Sequence, residues 1–128
     1  MFRILESQMQ HLAAKTKREF VAMMATYLSK HFQSSVGKWS PEELHTWLTQ
    51  ALDKAEHYHV TTEPEAAQLI LFFLVLGLDA DERLPWVRDT LTDRDLVALG
   101  KVRKLAELSR AQQVQGIEQA IVYDELEG

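Results

Sequence analysis

"TTEPEAAQLILFFLVLG", residues 61–77, decides the fold of this chain. Its second half, Leu69-Ile-Leu-Phe-Phe-Leu-Val-Leu76, is apolar without a break, and its β-branched and aromatic residues would suit a buried strand. Its first half argues for a helix. Thr62 is placed to cap, and Glu63, Pro64 and Glu65 fill a first turn, where proline fits and acids meet the positive end of the helix dipole. Gly77 stands where a helix C-cap is expected. The reading is a helix over 63–76, apolar on every side and therefore central, with neighbours around it. Its apolar run is far shorter than the roughly 20 residues of a membrane span.

Upstream, "SPEEL" at 40–44 repeats the start signal: Ser40 caps, Pro41 takes the first helical position, and Glu43 completes a capping box. Leu44, Trp47, Leu48, Ala51, Leu52, Ala55 and Tyr58 then form one stripe, which predicts a helix ending near His57 to His59. Earlier still, Leu5, Met9, Leu12, Phe20, Met23, Tyr27 and Phe32 recur at helical spacing, with Thr16 keeping the step and Ser7 a candidate cap within it. Gln33 to Lys38 reads as a loop.

Downstream, "LGLDADERLPWVRDTL" (76–91) gathers Asp79, Asp81, Glu82 and Asp89 around a Pro-Trp pair. A calcium loop would need Asp or Asn at its fifth position, Gly at its sixth and Glu at its twelfth. Arg83, Leu84 and Thr90 stand there instead, so the acids read as a solvated turn leading to a short helix from about Pro85. Thr92 or Asp93 is expected to cap a fifth helix, with Leu96, Leu99, Val102, Leu105, Ala106 and Leu108 as its stripe. Gly100 inside that stripe weakens the helix by about 1 kcal/mol against alanine unless another helix packs close. From Arg110 the chain turns polar and then acidic, with Val114, Ile117 and Ile121 keeping a thin helical spacing. The expectation is an all-α fold: a single compact bundle of about five helices over residues 1–109, and a partly ordered tail over 110–128.

The 128 residues suffice for one domain with a real core, and 46% of them are hydrophobic. The absence of cysteine excludes disulfides, thiolate metal sites and cysteine nucleophiles, and suits a cytoplasmic protein. A net charge of −5 argues against a dedicated nucleic-acid binder. Met1 to Gln8 lacks a basic segment leading into a long apolar one, so no signal peptide is expected.

The histidines and acids form no recognisable catalytic or metal motif. His57-Tyr-His59 is the densest pair, but side chains two apart on a helix point away from each other, and a helix C-terminus is where histidine meets a favourable dipole. No nucleophile elbow, P-loop or dinucleotide fingerprint occurs. No cofactor, metal or catalytic residue is assigned. Met23, Met24 and Tyr27 widen the apolar face of the first helix beyond a narrow seam, and an adaptable Met-rich surface suits a partner helix or strand. Trp39, with Trp47, would extend such a surface. The tail offers Val114, Ile117, Ile121, Tyr123, Asp124 and Glu125 as a second partner-binding stretch.

The run from Ser40 to Asp93 carries a resemblance. A helix ends in Ala-x-x-Tyr-x-Val, Thr-Glu follows, an apolar helix ends in Leu-Gly, and an acidic turn with Pro-Trp leads to Leu-x-Asp. With "FVAMMATYLSKHF" at 20–32, this resembles a group of small all-helical bacterial proteins. That group is encoded beside secreted toxins, often in type VI secretion neighbourhoods with PAAR-like spike proteins. The matching positions are caps and core residues across residues 18–108, so no catalytic residue is carried over. The resemblance implies a cytoplasmic, non-catalytic accessory that binds another protein, either as adaptor for an effector or PAAR-like protein or as immunity protein. The acidic charge would suit a basic toxin. A homodimer stays open. The alternatives are a helical transcription regulator and, third, a small enzyme.

Overall fold

Capping, proline placement and helical periodicity all act within a few residues, and the computed structural model, which describes residues 14–121, follows them closely. Its elements are α1 (Ala14–His31), α2 (Gln33–Val36), α3 (Pro41–His57), α4 (Glu63–Leu76), α5 (Ala80–Arg83), α6 (Pro85–Leu91), α7 (Ala98–Ala111) and α8 (Ile117–Ala120). The described residues are all-helical, without a strand. The expected five helices are α1, α3, α4, α6 and α7; α2, α5 and α8 are short turns between or after them. Among the described residues no helix is long and apolar enough to cross a membrane.

The capping box at Ser40 is complete. Glu43 N–H donates to Ser40 Oγ at 3.1 Å, and Ser40 N–H donates to Glu43 Oε1 at 2.8 Å. Thr62 occupies the N-cap of α4 with extended backbone, but its hydroxyl donates to the Glu65 carboxylate rather than accepting from a backbone N–H. The start of α4 thus rests on backbone geometry and Pro64.

α4 is central. Every residue from Ala66 to Phe73 is buried, and α4 packs against α3, α7 and α8. A strand would face its neighbours with two sides only. This helix meets them all round, and burying its Leu, Ile and Phe side chains contributes roughly 1.5–3 kcal/mol each. Gln68, fully buried on α4, donates to the Ala120 carbonyl and ties α8 to the centre.

Three segments differ from the sequence expectation. Gln33–Val36 is a helical turn and not a loop, because Val36 is drawn into the core beside Phe32 and its N–H donates to the Phe32 carbonyl at 3.0 Å. Asp79–Leu84 contains the helical turn α5, with Ala80 and Asp81 buried. The fifth helix begins at Ala98, with Val97 as its N-cap, and not at Thr92 or Asp93. Both expected caps are engaged elsewhere. The Thr92 hydroxyl donates back to the Arg88 carbonyl at 2.8 Å, and Asp93 Oδ1 accepts from Asp95 N–H at 2.9 Å in a local turn.

α3 and α7 end alike. Val60 N–H reaches the Ala55 carbonyl and His59 N–H the Glu56 carbonyl. Val114 N–H reaches Ser109 and Gln113 N–H reaches Arg110. This is the Schellman pattern, with His59 (φ 62°) and Gln113 (φ 55°) in the left-handed position that glycine usually takes. Beyond it, the polar stretch folds back. Ile117 and Ala120 enter the core, and Arg110 grips Glu118 through two hydrogen bonds of 2.8 and 3.0 Å. Ser7 and the residues before Ala14 lie outside the described residues.

Candidate functional site

The acids that dominate the sequence are largely committed to structure. Asp79 receives Arg83 Nε at 2.9 Å, and the same guanidinium donates to the Leu76 carbonyl, closing the C-terminus of α4. The Arg83 hydrogen bond holds the Asp79 carboxyl below its ordinary range. Asp81 is buried and accepts from Lys54 Nζ at 2.7 Å and Tyr58 Oη at 2.5 Å. Burial alone would push its carboxyl up. The two hydrogen bonds and the Lys54 charge outweigh that and bring it below the ordinary value. The Tyr58 phenol is pushed up to about 12, first by burial and then by its bond to Asp81. Lys54 also donates to the Leu78 carbonyl at 2.6 Å and lies 5.7 Å from the Phe73 ring centre. The turn read as merely solvated therefore contains one carboxylate that pins α5 to α3. Among the described residues, no three His, Asp or Glu gather as a metal-ion group.

Chemistry open to a partner collects at the start of α3. Gly37 closes α2, Trp39 N–H donates to the Val36 carbonyl at 3.0 Å, and Trp39 stands just before the capping residue. Trp47 lies two turns into α3. The two indoles meet with ring centres 5.7 Å apart at 47°. With Glu42, Glu43, Thr46 and Gln50 they line an open groove of about 430 Å³. Glu43, Thr46, Trp47 and Gln50 follow the i, i+3, i+4, i+7 rule, so they form one outward face of α3. Each indole has one side packed on the core and is half-exposed, which makes these rings rigid anchors. A carboxylate beside an indole face is a receptor for a cationic side chain, since the ring quadrupole and the acid attract the same charge.

The residues proposed from sequence are dispersed. Trp39 is in the groove. Met23 is 36% exposed on α1, whereas Met24 is fully buried. Neighbours on a helix point about 100° apart, so one methionine must turn inward, and Met24 is core and not contact surface. Tyr27 is half-buried on α1, 4.6 Å from the His31 ring and 6.2 Å from that of Phe32. Ile117 is likewise core, because α8 docks on α4, while Val114 and Ile121 are half-buried against it. Tyr123, Asp124 and Glu125 lie outside the described residues. The sequence marks Glu43 as a helix-start acid and singles out neither Glu42, Thr46 nor Gln50. The signal that could have found them is polar i+3 and i+4 spacing around an exposed tryptophan.

The chain matches no family model, no curated protein and no solved structure.

Proposed function

We propose that this chain is a non-catalytic, protein-binding accessory, and that the groove at Trp39 and Trp47 receives a basic segment of its partner. One observation carries the reading: two fixed, half-exposed indoles stand beside Glu42 and Glu43 on an outward helix face. Aromatic anchors of this kind concentrate binding energy. The net charge of −5 likewise favours a basic partner and speeds its approach. The resemblance of residues 18–108 supplies the setting: a cytoplasmic accessory of a bacterial secreted effector, in a type VI secretion context, acting as adaptor or as immunity protein. Its partner is then a toxin or effector domain, or a PAAR-like spike protein.

The test is co-purification with the product of the neighbouring gene, using wild-type protein and the W39A and E42K variants. The expected result is a complex that both variants weaken about tenfold or more, with affinity falling as salt rises. Loss of toxin activity in the complex assigns the immunity role, and retained activity with a spike protein bound assigns loading. A complex that both variants form as well as wild type removes the groove from the interface.

A further inference from the structure

A second opening lies where the end of α3, the α6–α7 connection and the first turns of α7 meet. It is a cleft of about 490 Å³ whose lining includes His57, His59, Leu91, Arg94, Leu96 and Lys101. In an acidic protein this lining is notable for containing no carboxylate.

Lys101 is the centre of the argument. The residue is only 5% exposed, and Nζ donates to the Tyr58 carbonyl at 2.7 Å. No carboxylate lies within ion-pair distance of it among the described residues. An ammonium has three donors, so two remain for the cleft. A buried cation without an anionic partner is costly, because desolvation penalises its charged form. That burial draws the Lys101 ammonium below its ordinary value, while the charge of Asp93 works in the opposite direction. Asp93 itself accepts from Asp95 N–H at 2.9 Å.

Three further groups add donors. Arg94 is exposed, and no acid pairs with it among the described residues. Its planar fork suits an oxyanion. His57 ends α3, and His59 sits at φ 62°, where glycine would be cheaper for the backbone. Both residues line the same wall of the cleft. Leu91 and Leu96 supply an apolar surface, so the cleft has room for more than a bare ion.

We infer that this cleft binds a small organic phosphate, its phosphoryl group held by Lys101, Arg94 and the two histidines and its organic body resting on Leu91 and Leu96. The site is separate from the tryptophan groove and stands whether or not that groove binds a partner.

The experiment is an amide NMR titration of the full chain with phenyl phosphate and, in parallel, inorganic phosphate. The expected result is saturable shifts at residues 58–60, 91–96 and 101, with phenyl phosphate tighter than inorganic phosphate. R94Q changes an exposed side chain and is expected to keep the fold while weakening phenyl phosphate about tenfold or more. H59G relieves the left-handed position. It is expected to melt no lower than wild type and yet bind more weakly, a combination that a purely structural histidine would not give. Shifts that never saturate or scatter over the surface overturn the inference. So does equal binding of the two phosphates, or unchanged affinity in both variants.

Discussion

Lys54 Nζ and Asp81 Oδ1 lie 2.7 Å apart, although they stand 27 positions apart in the chain. The contact locks the turn after α4 onto the last turns of α3, and Tyr58 completes it from one helical turn further along. Without Lys54, the buried Asp81 carboxylate keeps only its Tyr58 hydrogen bond; without Asp81, Lys54 keeps the Leu78 carbonyl and Glu82 at 3.6 Å. D81A is expected to cost about 2–3 kcal/mol, and K54M at least as much because it strands the more buried member of the pair. Urea denaturation checks both, and the double variant K54M/D81A is expected to lose less than the sum of the two. The same pair makes the fold acid-sensitive. The folded Asp81 carboxyl lies below its unfolded value, so its contribution is complete above about pH 4 and is lost as pH falls through the folded value.

Glu63 predicts the opposite slope. It is 3% exposed at the start of α4, and its Oε1 has no hydrogen-bond partner among the described residues. Burial pushes its carboxyl from 4.5 up to about 7. The folded protein therefore holds this proton more tightly than the unfolded chain does. Stability is full below pH 4.5 and declines as pH rises toward 7, by up to about 3 kcal/mol. E63Q is expected to melt several degrees above wild type at pH 8 and close to it at pH 4.5. Thermal denaturation across that range reads the difference, and parallel curves for the two proteins would refute it.

Two glycines are expected to respond with opposite signs. Gly77 has φ 106° and ψ 146°, and a Cβ there would come within 2.8 Å of Arg83 Nη2 and 3.0 Å of Asp79 Oδ1. G77A is expected to cost about 1–3 kcal/mol through backbone strain and disturbance of the Arg83 cap. Gly100, inside α7, would place a Cβ no closer than 3.4 Å to Leu96, an ordinary contact. G100A is expected to stabilise by about 0.5–1 kcal/mol. Chemical denaturation of both variants tests the pair.

Adjacent methionines on α1 separate core from surface. M24A is expected to cost about 2–5 kcal/mol, because it empties a fully buried site. M23A is expected to stay within about 0.5 kcal/mol of wild type. Equal losses in a melting experiment would mean that both side chains are packed.

The local signals were legible where they concern neighbours in sequence. Ser40, Pro41 and Glu43 announced α3 because every bond of a capping box lies within one turn. The Asp93 signal misled for a related reason: an aspartate can cap a helix or close its own turn, and the adjacent sequence does not choose between them. The one-turn helices α2, α5 and α8 carry too few residues to show a period. They are set by the burial of Val36, of Ala80 with Asp81, and of Ile117 with Ala120, each against elements distant in the chain.

By itself the sequence determined an all-helical fold and the central place of residues 63–76, since caps, prolines and an unbroken apolar run act over one or two turns. Only the tertiary structure decided that Asp81 is the buried acid while Asp79 beside it stays exposed. It alone set Trp39 against Trp47, and it alone assembled one cleft from residues 57–59, Leu91, Thr92, Arg94, Leu96 and Lys101. Charge burial and cleft shape depend on which distant elements come to rest against each other, and that information resides in the packing of the whole chain.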